Sequence, residues 1–172
     1  MKYSYTVLFL IFALKALSQD TLHTKPFDMY WTKPHIVPRA GIALQESTSV
    51  EAGISYHKIY VHPVVLSSIS KYLTAEMIVR DNHFVAGPKV GCEFTVGLLG
   101  LASDVTYYTD GHVGSPVLTP KAGLSIFGFV NVLYGYNIFL SNDTFSYISQ
   151  NRVSISVNLN KDYSDLKDAP RK

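Results

Sequence analysis

The chain has one cysteine and one tryptophan in 172 residues, and only 16% of it is charged. A lone cysteine, Cys92, cannot close an internal disulfide, which excludes a disulfide-stapled scaffold and any paired-cysteine metal site. Cys92 alternates with Val90 and Phe94, the position of a small apolar filler. Long hydrophobic runs are also missing. The longest, Val7-Leu8-Phe9-Leu10-Ile11-Phe12-Ala13-Leu14, has eight residues, and a helix needs about 20 to cross a membrane. No stretch sustains a helical period. There is no nucleophile elbow, phosphate loop or zinc-protease helix.

What is present begins with an export signal. Lys2 supplies the positive start, the apolar run follows, and Ala16 and Ser18 are small residues at the −3 and −1 positions of a cleavage. Residues 1–18 therefore read as a cleaved signal peptide. Its loss takes Lys2 and Lys15 from the 15 basic residues and leaves 13, against 13 acidic. A neutral exported chain without a basic cluster is not expected to bind nucleic acid. Residues 19–38 form a proline-broken N-terminal arm with Tyr30 and Trp31. Residues 161–172 form a charged tail whose one aromatic is Tyr163.

Between arm and tail, residues 39–160 alternate polar and apolar. The last segment is the cleanest: Val153, Ile155, Val157 and Leu159 oppose Arg152, Ser154, Ser156, Asn158 and Asn160. Strand side chains have period 2, so one face is apolar and the other polar. Eight such segments are expected, near 39–45, 49–57, 71–80, 84–94, 98–109, 117–127, 130–140 and 152–160. Turn chemistry separates several of them: Asp81-Asn82, Asp110-Gly111, Gly114-Ser115-Pro116 and Ser141-Asn142-Asp143. Pro88 and Pro120 fall inside segments and predict a bulge, a strand end or a shifted boundary. Gly87, Gly91, Gly123 and Gly135 share the polar parity, which suits a crowded interior.

Eight alternating strands predict an all-β, eight-stranded antiparallel up-and-down barrel. A soluble barrel turns its apolar face inward around a ligand. An outer-membrane barrel turns it outward to lipid and fills its lumen with polar groups. The polar parity carries Arg39, Glu51, Glu76, Arg80, Lys89, Glu93, Asp104, Lys121 and Arg152, with His57. Cations and anions nearly balance there, as a plugged lumen needs, because each buried charge requires a partner. Aromatic residues Tyr56, Phe84, Phe94 and Tyr107 lie near segment ends on the apolar face, where a membrane girdle would sit. Twelve tyrosines against one tryptophan fit the same picture. Connections five (110–116) and seven (141–150) are long and should face outside, while four and six are tight. Connection two, 58–70, is long where a tight turn is expected, and connections one and three are short.

Gly87-Pro88-Lys89-Val90-Gly91, the run Leu101-Ala102-Ser103-Asp104-Val105-Thr106-Tyr107-Tyr108-Thr109-Asp110, Lys121-Ala122-Gly123-Leu124-Ser125-Ile126-Phe127-Gly128-Phe129, Tyr134-Gly135-Tyr136-Asn137-Ile138 and the closing segment carry a resemblance. Over about residues 84–160 the chain resembles small eight-stranded outer-membrane β-barrel proteins of Gram-negative bacteria of the Bacteroidota type. The resemblance implies a transmembrane barrel in the cell outer membrane, with membrane lipid and the barrel insertion machinery as partners. It implies no particular activity. Such chains usually close on an aromatic residue, whereas here Leu159-Asn160 precedes the charged tail.

The histidines do not assemble a convincing site in sequence. His57 and His62 are five apart, His83 follows a turn, and His112 sits in Asp110-Gly111-His112, so no metal and no cofactor are expected. Asn142-Asp143-Thr144 matches a glycosylation pattern and reads as turn chemistry. A lipid-modifying enzyme would need His57 beside Ser55 or Ser67 and an acid such as Glu51. The expected function is non-enzymatic: an integral outer-membrane protein with a closed polar lumen and a structural or surface-interaction role. The alternative is a periplasmic or secreted soluble barrel that binds an apolar small molecule.

Overall fold

The computed structural model describes residues 30–62, 64–80, 83–141, 145 and 148–160, with the side chains of Tyr30, Val79, Arg80 and His83 excepted. The signal peptide, the arm up to residue 29, Asn142-Asp143-Thr144 and the tail from 161 lie outside the described residues. The described elements are all strands: β1 Tyr30–Trp31, β2 His35–Leu44, β3 Thr48–Val61, β4 Ser67–Arg80, β5 His83–Val96, β6 Leu99–Thr109, β7 Gly114–Ile126, β8 Val130–Tyr136, β9 Ile138–Phe139 and β10 Asn151–Asn158. β8 and β9 are two pieces of one wall strand, so eight strands form the wall. Each pairs antiparallel with its neighbours, and β10 pairs β2 to close the barrel. The fold is thus the closed up-and-down barrel that the alternation predicts. β1 adds two residues beside the end of β3.

The register fixes the shape. His35 pairs His57, His57 pairs Ser70, Ser70 pairs Glu93, and Glu93 pairs Ala102. Ala102 pairs Lys121, Lys121 pairs Gly135, and Gly135 pairs Arg152. Arg152 lies one place beyond the Val153–Leu44 pair, opposite Gln45. One circuit therefore returns to β2 ten residues beyond its start, from position 35 to position 45. Ten residues of stagger over eight strands tilts them by about 40°, and side chains just fill an interior of that size.

The two prolines are accommodated without a bulge. Pro88 pairs Ala75, while the β5–β6 ladder skips from Ala86–Thr109 to Lys89–Thr106 in unchanged register. Pro120 pairs Ser103, and the other side of β7 skips from Lys121–Gly135 to Leu118–Ile138. Each proline lacks one N–H, so one ladder opens locally while the other continues. A matched register across the gap corrects the expectation of a bulge or strand end.

Connection two is also corrected. β3 runs on to Val61 and β4 begins at Ser67, so the link is 62–66, not 58–70. The sequence obscures this because polarity inverts at the strand ends. Ile59 points inward and is fully buried, while Lys58 and Lys71 point outward. β7 likewise begins at Gly114, which shortens connection five to 110–113. Connection seven, 140–150, remains the longest. Connections two, four and six share the end of the barrel where residues 30–34 and 159–160 lie, and there they span five, two and three residues.

Inside, three layers fill the lumen. Near connection seven, Ile78, Val85, Tyr108 and Val117 pack with Ile148, and Phe139 and Phe145 lie against them. The middle layer is charged. At the opposite end, His57 meets Phe129 edge-on at 5.6 Å and Asn158 donates to the Gly128 carbonyl. Most outward positions are apolar, from Ile36 and Ile42 on β2 to Val153 on β10.

Candidate functional site

The middle layer of the lumen gathers most of the residues that the polar parity singled out. Arg39, Glu51, Glu76, Lys89, Glu93, Asp104, Lys121 and Arg152 are all buried inside. The Arg80 side chain lies outside the described residues. Period 2 places these groups inward, and the circuit stagger brings distant strands to one height. Four cations meet four anions, so the described set is neutral.

The contacts cross the lumen rather than follow one strand pair. The Arg39 guanidinium on β2 reaches Glu93 on β5 at 3.0 Å and lies 3.7 Å from Glu51 on β3. It also donates to Asn158 at 3.0 Å and to Ser156 at 2.9 Å, and stacks 4.1 Å from the centre of the Tyr72 ring. Lys89 on β5 bridges Glu51 at 2.6 Å and Glu76 on β4. Arg152 on β10 holds both oxygens of Glu76, at 3.0 and 3.1 Å. Lys121 pairs with Asp104.

Neutral groups add to the shells, although Arg39 Nε, Asp104 Oδ1 and Arg152 Nε have no hydrogen-bond partner among the described residues. Tyr72 donates to Asp104 at 2.9 Å, Asn131 to Glu93 at 2.9 Å, and Ser49 to Glu76 at 2.5 Å. The Arg152 guanidinium donates to the Tyr108 hydroxyl at 2.9 Å. Such shells decide whether a buried ion pair is tolerated, because desolvation otherwise outweighs the Coulomb attraction. Two glycines make room. A Cβ on Gly91 would lie 2.5 Å from the Tyr72 ring, and one on Gly135 would meet the stems of Lys121 and Arg152 at 2.9 and 3.2 Å.

Tyr72, Tyr108, Asn131 and Ser49 were not singled out in the sequence as members of this network. Parity was the available signal: Tyr72 alternates with Thr74 and Glu76, and Tyr108 with Asp104 and Thr106. A tyrosine ring on a polar face blurs the contrast between the two parities.

Two residues of the triad that a lipid-modifying enzyme would need are engaged with other partners. Ser55 shares a 2.5 Å hydrogen bond with Ser70, and Glu51 is held by Lys89 and Arg39. The His57 ring meets Asn160 at 3.0 Å. Among the described residues no group of three His, Cys, Asp or Glu side chains could hold a metal. The lumen therefore holds fixed charge pairs and side-chain plugs at both ends. The apolar side chains of the wall face outward. No family model, no curated protein and no solved structure matches this chain.

Proposed function

We propose that this chain is an integral outer-membrane β-barrel protein whose role is structural or surface-interacting rather than catalytic. The observation that carries this reading is the reversal of polarity across the wall. Leu73, Val90, Leu101 and Leu124 are 57–63% exposed on the outside, while Glu76, Lys89 and Arg152 are at most 1% exposed inside. Water would select the opposite arrangement, since contiguous apolar patches of more than a few hundred Å² are uncommon on soluble monomers.

The dimensions agree with a bilayer. A strand tilted by about 40° climbs about 2.5 Å per residue along the axis, so outward apolar runs such as 36–44 and 84–96 cover about 20 to 30 Å. The apolar band of outer-membrane barrels is about 25 Å tall. Tyr56 and Phe94 lie toward one edge of the band, and Phe84 and Tyr107 toward the other. The soluble alternative needs an apolar cavity inside, and a charged middle layer favours the membrane reading over it. A filled lumen also argues against steady solute conduction.

The test is fractionation of the full-length chain. Outer membranes are run in detergent with and without boiling. The expected result is a membrane-pelleted band whose mobility changes on boiling. Recovery in the soluble periplasm would overturn the reading.

A further inference from the structure

One row of outward residues departs from the apolar band. Tyr56 pairs Lys71, Lys71 pairs Cys92, and Cys92 pairs Ser103, across four adjacent strands. Lys58 is the next outward residue on β3 after Tyr56, and its ammonium lies 4.8 Å over the Trp31 ring. Lys58 pairs Ile69, so Lys58 and Lys71 stand diagonally on neighbouring strands. They are the charged residues on the outward parity of the described strands, and both are cations near the 62–66 turn.

The small side chains of Cys92 and Ser103 leave a groove on the same face. It has a volume of about 540 Å³ and is walled by Ile54, Leu73, Val90 and Val105, with Lys71 at its foot. A lysine on an outward wall needs both a path for its stem and a counter-charge for its head. Lys71 lies four residues inside β4, about 10 Å along the axis from Ser67. A second copy of this chain docked symmetrically would set Lys71 against Lys71 in an apolar contact, which like charges oppose.

We propose that this row binds one anionic glycerophospholipid of the leaflet nearest the chain termini. Its phosphate sits between Lys58 and Lys71, and one acyl chain fills the groove over Cys92 and Ser103. The site rests on the membrane reading above. Charge complementarity selects the headgroup, and the groove selects the chain.

The experiment uses full-length protein purified from membranes in non-ionic detergent, with native mass spectrometry after addition of phosphatidylglycerol or phosphatidylcholine. Each lysine near an anionic surface should contribute about a fivefold preference for phosphatidylglycerol. Lys71→Gln should lower the preference about fivefold, and Ser103→Leu should reduce retention of both lipids by filling the groove. Both variants alter outward positions, and a retained heat-dependent mobility shift verifies their fold. Trp31, the single tryptophan, supplies a second readout: brominated phosphatidylglycerol should quench it more than brominated phosphatidylcholine, and less so in Lys71→Gln. Equal retention of the two lipids by the parent chain, or a preference unchanged in Lys71→Gln, overturns the site while leaving the barrel in its membrane. A parent chain that stays soluble without detergent and shows no mobility shift overturns the membrane reading and the site together.

Discussion

The inner and outer faces of this wall are made by alternate residues of the same strands, yet they follow opposite rules. On β5, Lys89 and Glu93 point inward and are closed off, while Val90 and Phe94 point outward and are about half exposed. The inner face is organised by pairing: each charge is met by an opposite charge or a polar side chain from another strand. The apolar side chains that make up most of the outer face cannot pair in this way and depend on what surrounds them. A polar inside stabilises to the extent that its charges and polar groups are paired. An apolar outside is stable only in an apolar medium. The two faces should therefore respond differently to the same kind of damage.

The inner face should be the more sensitive. Glu76 anchors Lys89, Arg152 and Ser49. Glu76→Ala leaves two buried cations sharing one anion fewer, and removing one partner of a buried pair costs about 3–5 kcal/mol. Reversible urea unfolding in phospholipid vesicles measures it. A loss below about 1 kcal/mol, the range of exposed ion pairs, would mean that water screens the lumen and that the faces differ less than proposed. On the outer face, Val132→Arg places a charge near mid-band. The expected loss in vesicles is about 2–4 kcal/mol. In a water-solvated wall the same change would be nearly neutral, so a value within about 0.5 kcal/mol would reverse the assignment of the outer face.

How much of this was legible in the sequence follows from the same contrast. Strand count, closure and face assignment were readable because period 2 is rigid: Arg152 to Leu159 alternates without a break, and the structure keeps that phase throughout β10. The lumen charges were readable by parity alone, but their partners were not. Arg39 and Glu93 are 54 residues apart, and only the ten-residue circuit stagger brings them together. Strand ends were misread where polarity inverts. Lys58 and Lys71 outside and Ile59 inside look like a loop by hydropathy, and they cost the reading of β3 its last four residues. The apolar layer of Ile78, Val85 and Val117 was hidden for a related reason, since apolar residues on both faces erase the alternation.

That apolar layer offers a finer test of the inner face. Ile148 from connection seven is 5% exposed and packs against Tyr108 and Val117. Ile148→Ala should destabilise the barrel by about 2 kcal/mol, the lower end for a buried isoleucine, because a connection can relax more than a strand. Vesicle unfolding measures the loss. If the variant is unaffected, connection seven does not plug the lumen, and its closure falls to the charged layer and the packing around His57 and Phe129 at the opposite end.

The smallest effect belongs to the rim, where neither rule applies and water is the solvent. At connection five, the backbone N–H groups of His112 and Val113 both donate to the Asp110 carboxylate at 2.9 Å. Those bonds, Val113 first and His112 next, hold its carboxyl below the usual aspartate range. The charged form is favoured in the folded turn, so its contribution is complete above the unfolded carboxylate pKa and is lost as pH falls through the lower folded value. Carbon-detected NMR of the Asp110 carboxyl in detergent should find a midpoint below that of an unstructured aspartate. Asp110→Asn keeps an acceptor oxygen, should preserve the Thr109–Gly114 pairing at the neck of the turn, and should abolish this pH dependence. A midpoint at the ordinary value would mean that the turn opens in water. The rim would then differ from both faces of the wall, holding its geometry by neither ion pairs nor burial but only through the strands beneath it.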